Sequence, residues 1–275
     1  MSKLIKNKCE IESGYKNKDL LELAYQKFGN YRLVAEHFNT TKRIIQTYMD
    51  KFHIKRQKNK NSCNEAFFSQ DNEDSFYWAG FIAADGCVYK RKMGESYGLR
   101  ICLAYNDLLH LINFKRHINS SATITNYENN IGKYCALEIT SKNIFNDLAR
   151  FNIVPRKSLI YTFPEWMKVH PLKHHFMRGY NDGDGCFCIL SKNNKTKIEQ
   201  IRFSLRGTKK FLTTYRSILE DECKIIKRET EISVNKIGIL QYGGNRVCEK
   251  IGDFLYDNSS IYLERKKIIY DKVKI

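Results

Sequence analysis

This chain of 275 residues lacks several things. It has no signal segment and no apolar run approaching the roughly 18 residues of a membrane span. Those absences predict an intracellular, cytoplasmic protein, of a bacterium or of a phage-infected host, with reduced thiols. Its nine cysteines are odd in number and include no C-x-x-C pair, which argues against structural zinc. The close pair, Cys186 and Cys188, falls on one face of an expected strand. Neither end carries splicing-junction residues, so a free-standing chain is expected rather than an excised intein. Acid is in short supply: 30 Asp and Glu stand against 47 Lys and Arg, for a net charge of +17 and a pI near 9.4. Such a chain is drawn to polyanions by counterion release, which makes double-stranded DNA the expected partner, although generic surface lysine gives a similar balance.

What the chain does contain is one short pattern written twice. Trp78-Ala79-Gly80-Phe81-Ile82-Ala83-Ala84-Asp85-Gly86 and Met177-Arg178-Gly179-Tyr180-Asn181-Asp182-Gly183-Asp184-Gly185 each end a helix-length stretch with Asp-Gly. Gly80 and Ala84, like Gly179 and Gly183, are four apart on one helical face. Small residues there let two backbones approach, so the motif helices are expected to pack against each other. Gly86 and Gly185 are expected in the left-handed position just past each helix end. Asp85 and Asp184 then sit at the negative pole of their helices. The dipole disfavours an anion there by about 0.3–1 kcal/mol, and a second carboxylate adds repulsion. Two such residues in register call for a cation, and hard oxygen ligands of this kind suit Mg²⁺. One Asp-Gly would read as a helix cap; two with matched glycines point to function.

These residues resemble the LAGLIDADG homing endonucleases, in the form with two motifs on one chain, over about residues 74–275. The resemblance implies an α+β fold. Two pseudo-symmetric αββαββα repeats would bring the motif helices together and lay antiparallel, saddle-shaped sheets along DNA. It implies that Asp85 and Asp184 are catalytic metal ligands, that the carbonyls of Ala84 and Gly183 add to them, and that Mg²⁺ is the cofactor, with Mn²⁺ or Ca²⁺ able to take its place. The first motif departs from the family pattern at Ala83, where an acid is common, while the second keeps Asp182. In the family a basic residue following each repeat often approaches the cleavage centre. The corresponding stretches Pro155-Arg156-Lys157-Ser158 and Glu264-Arg265-Lys266-Lys267 make Lys157 and Lys266 the candidates for stabilising a charged phosphorane.

Ahead of the repeats, residues 1–53 read as a small all-α domain. Helices are expected over 17–28, 32–38 and 41–52, with Ile44, Ile45 and Tyr48 of the third facing inward. The arrangement resembles a helix-turn-helix, which would present Lys42, Arg43, Gln46 and Thr47 to a major groove; a plain helical bundle fits the same pattern. Residues 54–73, rich in Lys, Asn and Ser, read as a basic, polar linker. Repeat 1 is expected over 74–168 and repeat 2 over 169–275. After each Asp-Gly the pattern changes to alternation, in Leu99-Arg100-Ile101-Cys102-Leu103 and in Gln200-Ile201-Arg202-Phe203-Ser204-Leu205-Arg206. The apolar face would pack on helices. The other would offer Tyr89, Arg91 and Arg100 in the first half, and Lys192, Gln200, Arg202, Ser204 and Arg206 in the second, to base edges and phosphates. A solvated sheet face is the bland alternative. His170, His174 and His175 read as solvated linker histidines, because Pro171 disfavours a helical ligand pair.

The function expected is site-specific, metal-dependent cleavage of double-stranded DNA by a monomeric mobile-element nuclease with an internal two-fold. The rivals are a non-catalytic transcriptional regulator on the same scaffold and an RNA maturase for intron splicing. Because the two strand faces differ, the half-sites should differ too.

Overall fold

A computed structural model describes residues 14–28, 30–54, 61–91, 96–190, 200–226 and 237–272, so Lys192 lies outside the described residues. The chain divides into two units at Lys60.

Among the described residues the first unit holds three α-helices, Lys18–Phe28 (α1), Tyr31–His37 (α2) and Lys42–Lys51 (α3). Asn30 and Thr41 are the N-caps of α2 and α3, each accepting a bond from a backbone amide of the first turn, as short polar side chains do. Asn39 takes a positive φ of 48° between α2 and α3, a conformation asparagine tolerates. Leu21, Val34, Ala35, Ile45 and Met49 fill the core. Ile44 is not among them. It is 37% exposed, because the inward stripe of α3 runs through Ile45 and Met49, one turn apart, and leaves Ile44 on the flank.

The second unit begins earlier than the composition suggested. Residues 61–72 are not a free linker: Ser62 and Asn64 bond the backbone to Ser121 and Ile118, and Phe67 and Phe68 are buried in the core. Two aromatic residues outweigh a polar neighbourhood once they have a core to enter.

The motif helices are Glu73–Asp85 (α4) and Lys173–Asp184 (α7). From Ser75 to Ala83 every residue of α4 is buried, which is why its sequence is apolar on all sides rather than along one stripe. After α4 come β1 (Gly86–Lys90), β2 (Tyr97–Ala104), α5 (Leu108–His117), β3 (Thr125–Asn129), β4 (Gly132–Thr140) and α6 (Lys142–Ala149). After α7 come β5 (Gly185–Leu190), β6 (Gln200–Gly207), α8 (Lys209–Glu222), β7 (Gly238–Gly243), α9 (Asn245–Tyr256) and α10 (Glu264–Asp271). The strands make two antiparallel sheets, β1-β2-β4-β3 and β5-β6-β7. Leu99, Ile101 and Leu103, and Ile201, Phe203 and Leu205, turn into one core with both motif helices, as the alternation required.

Gly86 and Gly185 are not left-handed caps. Their φ values are −86° and −108° with extended ψ, so helix passes directly into strand. Glycine is needed there for room: a Cβ on Gly86 would lie 2.6 Å from Ile82 Cγ2, and one on Gly185 would lie 2.1 Å from Asn181 Oδ1.

Candidate active site

The α4–α7 interface is set by backbone touching backbone. A Cβ on Gly80 would fall 2.0 Å from the Phe176 carbonyl oxygen, and one on Gly179 would fall 1.9 Å from that of Tyr77. No side chain fits at either place. Further along, a Cβ on Gly183 would meet the Cβ of Ala84 at 2.3 Å and Asp85 Oδ2 at 3.4 Å. The small-residue face therefore brings the two helix ends, and with them Asp85 and Asp184, to one place.

Both carboxylates open to solvent on one side and are walled by protein on the other. Desolvation by those walls, and then the charge of Asp184, push Asp85 up to about 6. The same burial raises Asp184, against the pull of Lys266, Lys157 and Arg206. At both carboxylates burial outweighs the nearby cations, so a further cation would favour their charged forms.

Lys157 and Lys266 are both buried, at 6% and 7% exposure. Lys157 Nζ donates to the Gly86 carbonyl at 2.7 Å. Lys266 Nζ donates to three carbonyls, those of Asn181 (3.1 Å), Gly183 (2.8 Å) and Gly185 (2.6 Å). These oxygens belong to the last turn of the second motif helix and to the first residue of the strand after each helix, where α-helical partners run out. An ammonium there neutralises the negative pole of the helix and lies within electrostatic reach of the carboxylates. Burial lowers both lysines, and neighbouring acidic groups hold them up.

Lys157 and Asp184 also line a cleft of about 250 Å³ with Tyr180, Arg206 and Ile237. Two larger hollows, of about 420 and 460 Å³, are lined by neither aspartate. Volume and chemistry are separate here, as expected if the substrate lies along a surface rather than inside a pocket.

Among the described residues no three His, Cys, Asp or Glu side chains gather into a metal cluster. A two-carboxylate site open to solvent fits Mg²⁺, which commonly takes one or two carboxylates and completes its shell with water and phosphate oxygens. It does not fit zinc. The Gly183 carbonyl, expected as a ligand, already accepts from Lys266, so the lysine competes with that role.

The second motif carries polar residues where the first is apolar. Arg178, Asn181 and Asp182 stand in the places of Ala79, Ile82 and Ala83, and all three are fully buried. Arg178 donates to Glu73 at the start of α4 (2.6 Å) and to the carbonyls of Ile261 (2.8 Å) and Leu255 (3.1 Å). Asp182 accepts from Tyr77 (2.8 Å), Tyr256 (2.6 Å) and the Leu263 amide (2.7 Å). Tyr77 is on α4, so Asp182 ties the two motif helices together and anchors the chain leading to Lys266. These networks join residues far apart in the chain and are not marked by local spacing. Their signal was a charged residue inside a stretch otherwise apolar enough to be core.

The expected DNA face exists as an outward row. Arg100, Gln200, Arg202 and Arg206 are exposed, and Ser204 is half-buried. Tyr89 and Arg91 share that side of the sheet but are engaged: both donate to Glu138, Arg91 at 2.6 Å, and the guanidinium lies 5.1 Å from the Tyr89 ring centre. Glu138 faces Arg100 across β2 and β4. An acid had not been anticipated on this face. Cys186 and Cys188 on β5 lie opposite Ser204 and Arg202, on the same side as the arginines. In the first unit, Lys42, Arg43, Gln46 and Thr47 are exposed on α3, with the Thr47 hydroxyl donating to the Arg43 carbonyl at 3.0 Å. Of the histidines, His170 reaches towards Asp71 (3.7 Å), His174 pairs with the Pro171 carbonyl, and His175 bonds Arg178. No helix among the described residues is long and apolar enough to cross a membrane.

No protein-family model and no curated protein matches the chain. Solved structures do. The LAGLIDADG meganuclease I-CpaMI, bound to uncleaved DNA, is similar at a TM-score of 0.52 and 13% identity, over 74% of this chain and 91% of that one. The homing endonuclease I-WcaI, bound to its DNA recognition sequence, gives 0.52 and 14% over 74% and 90%. The LAGLIDADG meganuclease I-AabMI, also on uncleaved DNA, gives 0.50 and 13% over 74% and 90%. At these identities what is shared is the fold: two antiparallel sheets about a pair of motif helices is the LAGLIDADG meganuclease fold.

Proposed function

We propose that the chain is a site-specific endonuclease that cuts both strands of DNA with a divalent metal, Mg²⁺ in the first place. The observation that carries this reading is the meeting of Asp85 and Asp184 at the ends of two helices locked by Gly80 and Gly179, beside two buried lysines. A structural role alone gives no reason to bring two carboxylates together and leave both open to solvent.

Asp85 and Asp184 would hold the metal, which when bound supplies charge stabilisation for a phosphate under attack by water. Lys157 and Lys266 keep positive charge fixed behind the carboxylates, which favours their charged forms against their mutual repulsion. Arg206 lines the cleft beside Asp184, where it can take a scissile phosphate oxygen. Arg100 on one sheet and Gln200, Arg202 and Ser204 on the other reach for base edges and backbone. Lys42, Arg43, Gln46 and Thr47 of the three-helix unit extend the contact as a helix-turn-helix. The near two-fold layout gives each strand its carboxylate, while the unlike faces read unlike half-sites.

The test is incubation of the full chain with the DNA flanking its own gene, with and without Mg²⁺, beside an Asp85→Asn, Asp184→Asn double variant. Metal-dependent double-strand cuts that vanish in the double variant support the reading. Tight, salt-sensitive binding with no cutting would give the scaffold to a regulator instead.

A further inference from the structure

The outward side of β5 carries two thiols in van der Waals contact. Cys186 Sγ lies 3.3 Å from Cys188 Sγ, and Cys186 also meets the Ser204 hydroxyl at 3.1 Å. Cys188 is exposed and Cys186 half-buried, so a small molecule can reach the first and the second stands directly behind it. Cys87 offers an internal comparison. It follows Asp85-Gly86 as Cys186 follows Asp184-Gly185, and it is exposed, but two residues on it meets Tyr89 rather than a second thiol.

We propose that Cys186 and Cys188 form a reversible dithiol–disulfide modification site, oxidised by low-molecular-weight disulfides of the glutathione type. The sulfur of Cys188, as thiolate, attacks one sulfur of the small disulfide, forming a mixed disulfide and expelling one small thiolate. The sulfur of Cys186 then attacks that of Cys188 and expels the second. Two protein thiols are oxidised, one small disulfide is reduced to two thiols, and two protons pass to the departing thiolates. Burial and the neighbouring Cys186 raise the Cys188 thiol while the Arg202 guanidinium across the ladder lowers it, so exchange quickens as pH rises.

Two residues along a strand advance about 6.6 Å. That is close to the upper end of the roughly 4.4–6.8 Å between Cα atoms that disulfides bridge. Closing the bond therefore shortens and bends β5 between Cys186 and Cys188, the residues paired with Ser204 and Arg202, just after Asp184 and Gly185. A bond so placed is readily reduced again, as strained and exposed disulfides are. The chemistry of the pair stands apart from any nuclease activity. Its effect on DNA rests on the endonuclease reading.

The experiment treats the reduced full chain with oxidised glutathione and maps its peptides by mass spectrometry. The peptide holding both cysteines should lose two hydrogens and regain them with dithiothreitol, while Cys87 carries a glutathione adduct. In the Cys186→Ser variant Cys188 should instead retain glutathione. A lasting glutathione adduct on Cys188 of the unaltered protein, a bond from either residue to Cys87, or no reaction while Cys87 reacts would each overturn the site. With Cys87 replaced by Ser in both proteins, so that no adduct forms opposite Arg100, DNA affinity, measured in Ca²⁺ to separate binding from cutting, should fall at least tenfold on oxidation and stay level in the protein that also carries Cys188→Ser. An unchanged affinity of the oxidised protein would leave the disulfide standing and overturn its link to DNA.

Discussion

Lys266 Nζ lies 2.8 Å from the carbonyl oxygen of Gly183, the residue before Asp184. It is also bonded to the carbonyls on either side, so one ammonium fixes the whole turn that presents the carboxylate. Lys157 makes a single such bond, to Gly86. The two lysines, matched in sequence, are thus unequal in what they hold. Lys266→Met should strand three carbonyls and lower stability by about 2–3 kcal/mol, whereas Lys157→Met should lower it by about 1 kcal/mol. Urea titrations measure both. Equal losses would mean that the lysines act through charge alone and not through the carbonyls they bind.

The glycines of the interface should divide by what surrounds them. Gly179→Ala puts a methyl 1.9 Å from a backbone oxygen that cannot swing aside, so the helices must part. We expect a loss of at least ~3 kcal/mol, comparable with severe overpacking of a core. Gly132→Ala, with nothing within 4 Å, should change little. A Gly179→Ala protein melting with the parent would show that α4 and α7 do not pack through this face.

The parts of this molecule that were readable from sequence are those controlled by local spacing. Gly80, Gly179 and the paired Asp-Gly announced the helix contact and its carboxylates, and the alternation around Arg100 and Arg202 announced which side of each sheet faces out. What stayed hidden depends on residues distant in the chain. Gly86 and Gly185 look like helix caps until the crowding of Ile82 and Asn181 is visible. Phe67 and Phe68 look like a linker until their core is assembled, and Tyr89 looks free until Glu138 arrives from β4. No spacing rule links Arg178 to Glu73 across 105 positions, so its burial reads as an anomaly until its partner is seen.

The three aspartates of the motifs should separate cleanly. Asp85→Asn and Asp184→Asn each relieve carboxylate repulsion and should leave the melting temperature equal to the parent's or above it, while DNA cutting is lost. Asp182→Asn replaces an acceptor of three hydrogen bonds with a group that also donates, and should destabilise the fold by about 2–4 kcal/mol. Calorimetry on the three proteins, beside a plasmid cleavage assay, decides. A destabilised Asp85→Asn protein would make that residue structural.

Glu138 should restrain binding by holding Arg91 and Tyr89. Glu138→Gln releases a guanidinium towards the phosphates and removes a negative charge from the face. Affinity for non-specific DNA should rise, and the slope of log affinity against log salt should steepen by about 1. Fluorescence anisotropy over a salt series reads both. An unchanged slope would place this corner of the sheet away from DNA.

Acid should weaken the fold through His110. Its Nε2 lies 3.1 Å from the Tyr77 oxygen, and since Tyr77 donates to Asp182, the imidazole Nε2 is the donor to Tyr77. Burial first, with Arg265, His117 and Lys266 adding to it and Asp107 opposing, pushes His110 down to about 3. The unfolded histidine takes its proton near pH 6.5 and the folded one does not. Its contribution is therefore complete above about pH 6.5 and declines below that by up to ~1.4 kcal/mol per pH unit as the pH falls towards 3. His110→Gln keeps a donor for Tyr77 but has no proton to gain. Unfolding free energies between about pH 6.5 and 4.5 should fall more steeply for the parent than for this variant. Parallel curves would mean that His110 binds its proton as readily in the folded protein as in the unfolded chain, and that its burial does not weaken the fold in acid.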